Sequence, residues 1–551
     1  MCGAVCTPVR HTSALLIDHF YYHYDDLHKY GRRWVAMDIQ PLVTTSGLRN
    51  MSALCATQKR QNTITFLIIL ITALSAVPLL VLSGAMTSFT FIYGALASLT
   101  IVAVVVWRPV VGLYIALAAV VLIEQAPLPT YIVTDNLYVF YWPPSLEGLF
   151  ERPIGFLFIL TLVVLICSRI VNRKPPLTGG KLMIPFSLYL LCVAIAVGYG
   201  LATGGSLKVT VVEARPFWYM FISFLLSYNL ITLKKHVRAF FWVVIIGAGV
   251  KGLQGTYIYL VYWHGNLQGH DTIMSHEESF FFAALILLLM LFCMHYRFRP
   301  QFYVALSFLP PVLIAFFANQ RRADYVALVV GLIVAWCMLF VMKPGSRKKM
   351  ALALLVCVVF LGSYVAAFSH SREWYGQPAR AVVSIVNPST TDTRNTNSNL
   401  YRIIENYDLE YTAKRYPLGM GFGKPFLLPV PLTKIFPQIR TFDPYYDSVP
   451  HNNIYWIWIR LGVIGYSVFW YLFGAVIVRG CLVARKLKDP YLQLTAIFIV
   501  AVAFMEIIVA FADYQLFFFR NVIYVGLLFG MLMRLPAMDE TAVAKKEVEH
   551  R

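Results

Sequence analysis

Arginine and histidine side chains capable of chemistry occur at four separate places in this sequence. Arg215 lies near the start of an apolar run, and the pair Arg321 and Arg322 lies between two others. Arg402 belongs to a polar stretch, and His451 begins the segment His-Asn-Asn-Ile-Tyr-Trp. An arginine fork donates two parallel hydrogen bonds to a phosphate and stays charged when partly desolvated. Because histidine is the commonest general base, the set predicts a site that binds a phosphate-bearing ligand and moves a proton.

The elements that must position these side chains are membrane-spanning helices. Hydrophobic residues make up 59% of the 551 residues and charged residues 13%, which excludes an ordinary soluble globular protein. Apolar runs of about 20 residues recur from Ile64 to Met533. We therefore predict an all-α polytopic membrane protein with about fourteen transmembrane helices and one large extracytoplasmic loop. The predicted spans are 64–84, 88–107, 109–125, 154–171, 183–202, 210–231, 239–261, 278–296, 301–319, 323–342, 350–368, 453–478, 491–512 and 516–534.

The breaks between these runs divide the chain into five parts. They are a cytoplasmic N-terminal segment (1–62), a transmembrane bundle (63–368), the large loop (369–452), C-terminal transmembrane helices (453–535) and a cytoplasmic tail (536–551). The first fifty residues are rich in His, Tyr and Asp and contain no apolar run of signal-peptide length. We expect that translation starts at Met51 and that the preceding residues are an artefact of start-site assignment.

The basic residues indicate which loops face the cytoplasm. The formal net charge is +19, from 46 Lys+Arg against 27 Asp+Glu, and nucleic acid is not needed to explain it. Lys and Arg cluster in alternate loops, at 169–181, 234–238, 297–299, 343–349 and 479–488. By the positive-inside rule these loops and both termini are cytoplasmic. The loops 126–153, 262–277 and about 369–452 then face outward.

Arg215, Arg321, Arg322 and His451 fall at the outward ends of spans that are distant in sequence. Ionisable groups at this depth are costly and are usually kept for a partner, so we expect a phosphate-bearing ligand at the outer face. The alternative is that each arginine snorkels to lipid headgroups or pairs with a nearby acid. The acids available for this are Glu213 for Arg215 and Asp324 for Arg322. His451 has a structural alternative too, beside the interfacial aromatics Tyr455, Trp456 and Trp458.

Two further patterns lie in the outward loops. Asn397-Ser398 is predicted to cap an amphipathic helix that carries Leu400, Ile403, Ile404, Tyr407 and Tyr411 and ends at Pro417 and Gly419. Gly419, Gly421 and Gly423 form a GxGxG pattern that follows no strand, which favours a tight turn over a dinucleotide site.

A cluster of potential metal ligands precedes the span 278–296. It comprises His264, His270, Asp271, His276, Glu277 and Glu278. The intervals of six residues between the histidines match no common ligand spacing, so a metal site is the less favoured interpretation. We expect instead a loop that lines the outward cavity, with His276 and Glu277 in contact with an acceptor.

Three of these places resemble the O-antigen ligase and polymerase family of membrane glycosyltransferases. His451-Asn-Asn through Gly462-Val-Ile-Gly resembles the family's His-Asn element, and Arg322-Ala-Asp-Tyr-Val-Ala-Leu resembles its Ser-Arg-Gly element. Arg402 followed by Tyr416-Pro-Leu-Gly-Met-Gly-Phe-Gly resembles the arginine and glycine stretch of its large periplasmic loop. The resemblance covers about residues 200–480. Arg321 stands where the family usually has Ser, and Ala323 where it has Gly.

The resemblance implies a fold similar to GT-C-type glycosyltransferases and a glycan donor linked to undecaprenyl diphosphate. An acceptor hydroxyl would attack the anomeric carbon with inversion, without metal or other cofactor, at the periplasmic face of a bacterial inner membrane. Arg322 and Arg402 would clamp the diphosphate and His451 would act as base. The expected substrate-binding residues are Arg215, Arg321, Asn452, His276, Glu277 and Tyr401.

We expect a polymerase of lipid-linked repeat units. The alternatives are a ligase that transfers glycan to another acceptor, a lipid-linked oligosaccharide flippase or anion transporter, and a non-enzymatic assembly scaffold. The expected partners are the lipid-linked donor, a glycan acceptor and the bilayer, with a chain-length regulator or flippase as further candidates.

Overall fold

A computed structural model describes residues 99–124, 152–267, 272–295, 300–371, 374–376, 379–380, 382–383, 393–435, 437 and 446–549. The segment 1–62 with its proposed start at Met51, the span 64–84, most of the span 88–107 and most of the loop 126–153 lie outside the described residues. So do His270 and Asp271 of the histidine cluster.

Helices are the regular elements of the described part. They are α1 (Pro109–Leu122), α2 (Pro153–Val171), α3 (Met183–Ala202), α4 (Leu207–Leu230), α5 (Lys234–Tyr257), α6 (His276–His295), α7 (Pro300–Ala318), α8 (Arg322–Met342), α9 (Arg347–Phe368), α10 (Thr393–Arg415), α11 (Leu432–Ile435), α12 (Asn453–Lys486), α13 (Pro490–Ala510) and α14 (Phe519–Glu549). Eleven helices in the described residues are long and apolar enough to cross a membrane, and α1 is a shorter apolar helix. The prediction of an all-α polytopic membrane protein is confirmed, and each predicted span from 109–125 onward has its helix.

Local sequence signals explain where several helices begin and bend. Pro109, Pro153 and Pro490 each occupy a first helical position, where a missing N–H costs nothing. Asp489 caps α13 by accepting hydrogen bonds from the backbone N–H groups of Tyr491 and Leu492. The long helix α12 is interrupted at Gly462, whose φ of 66° lies in the left-handed region.

The core of the bundle contains α6, α13 and α14, most of whose residues are buried. Close backbone contact joins α14 to α4, because a Cβ on Gly526 would lie 2.3 Å from the carbonyl oxygen of Met220. The hydroxyl of Ser227 on α4 donates to the carbonyl of Leu527 at 2.6 Å. In the helix α9, by contrast, most of the described side chains after Met350 are apolar and exposed, as expected of a helix in lipid.

Four charged side chains form an ion cluster inside the bundle. The Nη1 atom of Arg520 lies 2.6 Å from Oε1 of Glu278, and Nζ of Lys251 lies 2.6 Å from Oε1 of Glu124. Cross pairs of 3.6 and 3.7 Å join the two bridges, and all four side chains are fully buried. Removing one partner of a buried pair costs about 3–5 kcal/mol, so this cluster ties α5, α6 and α14 to the end of α1.

The described part of the large loop is fastened to the bundle by the GxGxG turn, which the sequence predicted. Gly419, Gly421 and Gly423 all have positive φ. A Cβ on Gly421 would lie 2.6 Å from the Cα atom of Gly200 on α3. The backbone N–H of Gly423 donates to Oε2 of Glu213 on α4 at 2.6 Å. The glycines therefore allow the loop backbone to lie directly against transmembrane helices.

The loop helix α10 is longer than the sequence indicates. It begins at Thr393, so Asn397 and Ser398 lie inside the helix and do not cap it, and it ends at Arg415, just before Pro417. The end of the bundle against which α10 packs is called the loop end below.

Candidate active site

Several of the side chains predicted to do chemistry lie at the loop end, together with others that the sequence did not indicate. Four pieces of chain contribute to this group: the starts of α6 and α8, the residues just before α12, and the connection between α13 and α14. The helix α10 supplies a fifth. The group is called the mouth cluster and consists of His276, Arg321, Arg322, Glu405, His451, Asp513 and Tyr514.

His451 is held by Glu405 of α10. The Nδ1 atom of its ring lies 3.1 Å from Oε1 of Glu405, and its backbone N–H donates to Oε2 of the same carboxyl at 3.1 Å. The Glu405 side chain is almost completely buried, whereas the His451 side chain is 20% exposed. A carboxylate only accepts hydrogen bonds, so Nδ1 carries the proton and Nε2 is left as a base.

A second imidazole and carboxylate pair lies beside the first. The Nδ1 atom of His276 lies 2.8 Å from Oδ2 of Asp513. Burial alone would raise the pKa of Asp513, but His276, Arg321 and His451 act on the carboxyl and hold its pKa well below the usual range. Asp513 is therefore an anion at the centre of three potentially cationic groups.

Tyr514 lies between the two imidazoles. Its ring centroid is 4.3 Å from that of His451 and 6.4 Å from that of His276, with the latter pair nearly parallel. Tyr401 of α10 packs edge-on against the ring of His451 at 5.1 Å. These rings fix the orientation of both histidines.

The two adjacent arginines at the start of α8 interact with different neighbours. Arg322 donates from Nη2 to Oδ1 of Asn399 on α10 at 3.0 Å. Arg321 interacts electrostatically with His276 and Asp513. Arg322 therefore contacts α10, whereas Arg321 acts on the second imidazole and its carboxylate.

Two other predicted residues, Arg402 and Asn452, lie on α10 and at the start of α12. Arg402 is half-buried and lies three residues before Glu405, a spacing that puts both on one face of α10. Asn452 caps α12 by accepting from the backbone N–H of Tyr455 at 3.2 Å, and its amide donates to Asn406 at 3.0 Å. Asn452 thus links α12 to α10 as well as lying next to His451.

Two predicted binding residues have other neighbours. Arg215 is buried with its guanidinium 6.0 Å from the ring centroid of Phe519, at the start of α14. Glu277 is buried and interacts with Arg520, Glu124 and Glu278, which belong to the ion cluster inside the bundle. Glu277 therefore lies beside the ion cluster, and its role as an acceptor contact stays a prediction.

Glu213, which the sequence offered as a partner for Arg215, forms an ion pair with Arg460. Glu213 lies 2.6 Å from Nη2 of Arg460 on α12, and both side chains are fully buried. Arg460 also donates to the carbonyl oxygens of Gly421 and Ser448, at 3.3 and 2.8 Å. This pair supports the loop turn.

Sequence reasoning missed Glu405, Asp513, Asn399 and Arg460. A signal was present for Asp513, since an acid between two strongly apolar spans is unusual and suggests a retained partner. Glu405 lies four residues after Tyr401, so the two side chains share a face of α10. The sequence does not indicate what packs against that face.

Residues 305–470 match the family model described as O-antigen ligase. Over this segment the chain is similar to that family, and the segment is called the O-antigen ligase domain below. The domain runs from α7 into α12 and contains Arg321, Arg322, Arg402, Glu405 and His451. A search of curated proteins finds no match to this chain.

The O-antigen ligase domain and the apolar helices together support a multi-pass inner-membrane protein with a role in glycosyl transfer. Such a domain implies a lipid-linked glycan donor and an acceptor at the membrane. Among the described residues, no group of three or more His, Cys, Asp or Glu side chains is arranged to hold a metal ion.

Proposed function

We propose that this protein is an inverting glycosyltransferase that polymerises glycan repeat units linked to undecaprenyl diphosphate at the outward face of the inner membrane. One observation carries the proposal: His451 and Arg322, far apart in sequence, both contact α10, through Glu405 and Asn399. A base and a phosphate-binding cation are thereby joined to one helix at one end of the bundle. The loop end is the outward end in this proposal, as the basic loops predict.

His451 is the proposed general base. With Nδ1 held by Glu405, Nε2 accepts the proton of an acceptor hydroxyl while the hydroxyl oxygen attacks the anomeric carbon. The bond from this carbon to the diphosphate oxygen breaks, and its electron pair leaves with the diphosphate. Because attack and departure occur on opposite faces of the carbon, the anomeric configuration inverts, and His451 later releases the proton to water.

The arginines stabilise the leaving group. Negative charge develops on the diphosphate as the bond breaks, and guanidinium groups in place beforehand stabilise that charge without reorganisation. Arg322 and Arg402 are the proposed clamps, and Arg321 and Arg215 are further donor-binding cations. His276, oriented by Asp513, is the proposed contact for the acceptor, together with Tyr401 and Asn452.

Transfer to a second lipid-linked chain and transfer to a different acceptor use the same donor chemistry. A ligase is therefore the first alternative, and the acceptor that is consumed distinguishes it from a polymerase. A flippase or anion transporter is the second alternative. A transporter would move lipid-linked glycan across the bilayer without lengthening it.

The proposal is tested with purified protein in proteoliposomes and radiolabelled lipid-linked repeat units in the presence of a metal chelator. The expected result is a ladder of longer glycans with the unaltered protein and with Arg415→Ala, an exposed arginine in the last turn of α10. His451→Ala and Arg322→Ala should yield no ladder. Full product from both variants would refute the site, and movement of labelled lipid without elongation would favour transport.

A further inference from the structure

The face of α10 opposite Glu405 carries exposed apolar side chains. Their exposed fractions are 42% for Leu400, 66% for Ile403, 54% for Tyr407 and 45% for Tyr411. Spacings of three and four residues put all four on one face of the helix. The part of the chain that the structure describes leaves this face uncovered, and an apolar stripe of this kind marks an interaction surface.

The position of α12 in the membrane indicates the depth at which the apolar stripe of α10 lies relative to the bilayer. Arg479, Arg485 and Lys486 mark the end of α12 farther from the loop. Between the interruption at Gly462 and Arg479, α12 has about 17 helical residues, enough to cross the hydrocarbon core, so Ile459, three residues before the interruption, lies near the other side of that core. The stacked rings of Trp458 and Tyr466, 4.9 Å apart, lie at this level and are typical of a membrane interface.

The second half of α10 packs at that same level. Leu409 and Ala413 share a small apolar core with Ile459 and Met420. Lys414, in the last turn of α10, interacts electrostatically with Tyr455 in the first turn of α12. The stripe therefore lies at the level where hydrocarbon gives way to headgroups.

The chain that follows α10 continues into the lipid-facing surface of the bundle. The backbone of Leu418 contacts Gly462, and the N–H of Val463 donates to the carbonyl of Pro417 at 3.0 Å. The side chain of Leu418 is 75% exposed, beside Val463 at 44% and Ile464 at 66%. The apolar surface of α10 is thus continuous with a surface that faces lipid.

We infer that α10 lies in the membrane interface, with Leu400, Ile403, Tyr407 and Tyr411 inserted into the leaflet at the loop end of the bundle. Aliphatic side chains such as Leu400 and Ile403 form no hydrogen bonds with a sugar. Among lipid acyl chains, by contrast, these side chains are removed from water, which is favourable. The Lys414 ammonium lies where headgroup phosphates are found. The opposite face of the same helix carries Glu405, so the bilayer is one of the two surfaces that hold this carboxyl against His451. This inference stands independently of the proposed reaction.

Spin-label accessibility in proteoliposomes tests the inference. Starting from a variant in which the nine cysteines are replaced, a nitroxide is attached at Ile403→Cys or at Tyr407→Cys. Collisions with oxygen, which concentrates in hydrocarbon, are compared with collisions with a water-soluble nickel chelate. There are two control positions for the label. Ile464→Cys lies on the lipid-facing surface of α12, and Lys434→Cys replaces an exposed charged residue of α11.

Both labels on α10 are expected to give oxygen-to-nickel ratios several-fold above that of the Lys434 label, at a depth of about 5–10 Å below the headgroups. A ratio equal to that of the Lys434 label would overturn the inference, because the stripe would then face water. Low accessibility to both reagents would also overturn it, since another part of the chain or a protein partner would then cover the stripe.

Discussion

Glu405 accepts two hydrogen bonds of 3.1 Å from His451, one from the ring Nδ1–H and one from the backbone N–H. The carboxyl comes from the large loop and the imidazole from the first residues before a transmembrane helix. The helix α10 thus sets both the position and the tautomer of the proposed base.

Glu405→Gln should lower kcat by about 10²–10⁴-fold with little change in KM for the lipid-linked donor. The glutamine oxygen can still accept from the backbone N–H of His451. Its amide, however, donates to Nδ1, which moves the ring proton to Nε2 and removes the base. Steady-state transfer assays measure the effect, and Glu410→Gln, an exposed position on the same helix, is the matched control. Unchanged kcat would rule out the tautomer argument.

Arg322→Ala should lower kcat by about 10²–10³-fold, because a charge-stabilising donor to the leaving diphosphate is lost. Arg322→Lys should recover part of this loss, since an ammonium supplies charge without the planar fork. Asn399→Ala removes the amide that accepts from Arg322 and should have a smaller effect than Arg322→Ala. An Arg322→Lys variant with full activity would contradict bidentate binding.

Asp513→Asn should reduce the free energy of unfolding at pH 7 by about 1–3 kcal/mol, because His276 loses its charged partner. The pKa of Asp513 is lowered in the folded protein by His276, Arg321 and His451. Its stabilising effect is therefore present above the unfolded pKa of about 4 and is lost as the pH falls below it. Thermal denaturation in micelles at several pH values provides the measurement. The difference in stability between Asp513→Asn and the unaltered protein should become smaller below about pH 4. Glu540→Gln, an exposed acid on α14, serves as the control.

Asp408→Asn should stabilise the protein, whereas Asp513→Asn destabilises it. Burial raises the pKa of Asp408, the backbone N–H of Val430 opposes the rise and Glu405 adds to it, which together bring the pKa to about 6. Ionising this acid in the folded protein is unfavourable, so stability should fall as the pH rises from about 4 to about 6. The substitution should remove this dependence and raise the free energy of unfolding at pH 7 by about 1–3 kcal/mol. Melting curves of both proteins between pH 4 and pH 7 provide the measurement, and parallel curves would contradict the argument.

Gly421→Ala should loosen the large loop. The residue has a φ of 76°, and its Cβ would lie 2.6 Å from the backbone of Gly200. A loss of about 2–4 kcal/mol is expected from the strain and the clash. Gly474→Ala is the matched control, because a Cβ there meets nothing within 4 Å and alanine favours the helix by about 0.5–1 kcal/mol. Limited proteolysis of the loop should accelerate for Gly421→Ala and stay unchanged for Gly474→Ala.

The sequence by itself determined the class of protein and the places of its spans from residue 109 onward. Crossing hydrocarbon requires about 20 consecutive apolar residues with all backbone groups bonded internally, a requirement that hydropathy reports directly. The motifs around Arg322 and His451 likewise pointed to the family that the segment 305–470 matches.

The partners of those residues were decided by tertiary structure alone. Glu405 reaches His451 across 46 residues of chain, and Asp513 reaches His276 across 237. The neighbours His276 and Glu277 at the start of α6 likewise have different partners: His276 contacts Asp513 of the mouth cluster, whereas Glu277 interacts with the buried ion cluster. Successive residues on a helix point about 100° apart, and which neighbour each one meets depends on how separate helices pack, a relationship that no local pattern records.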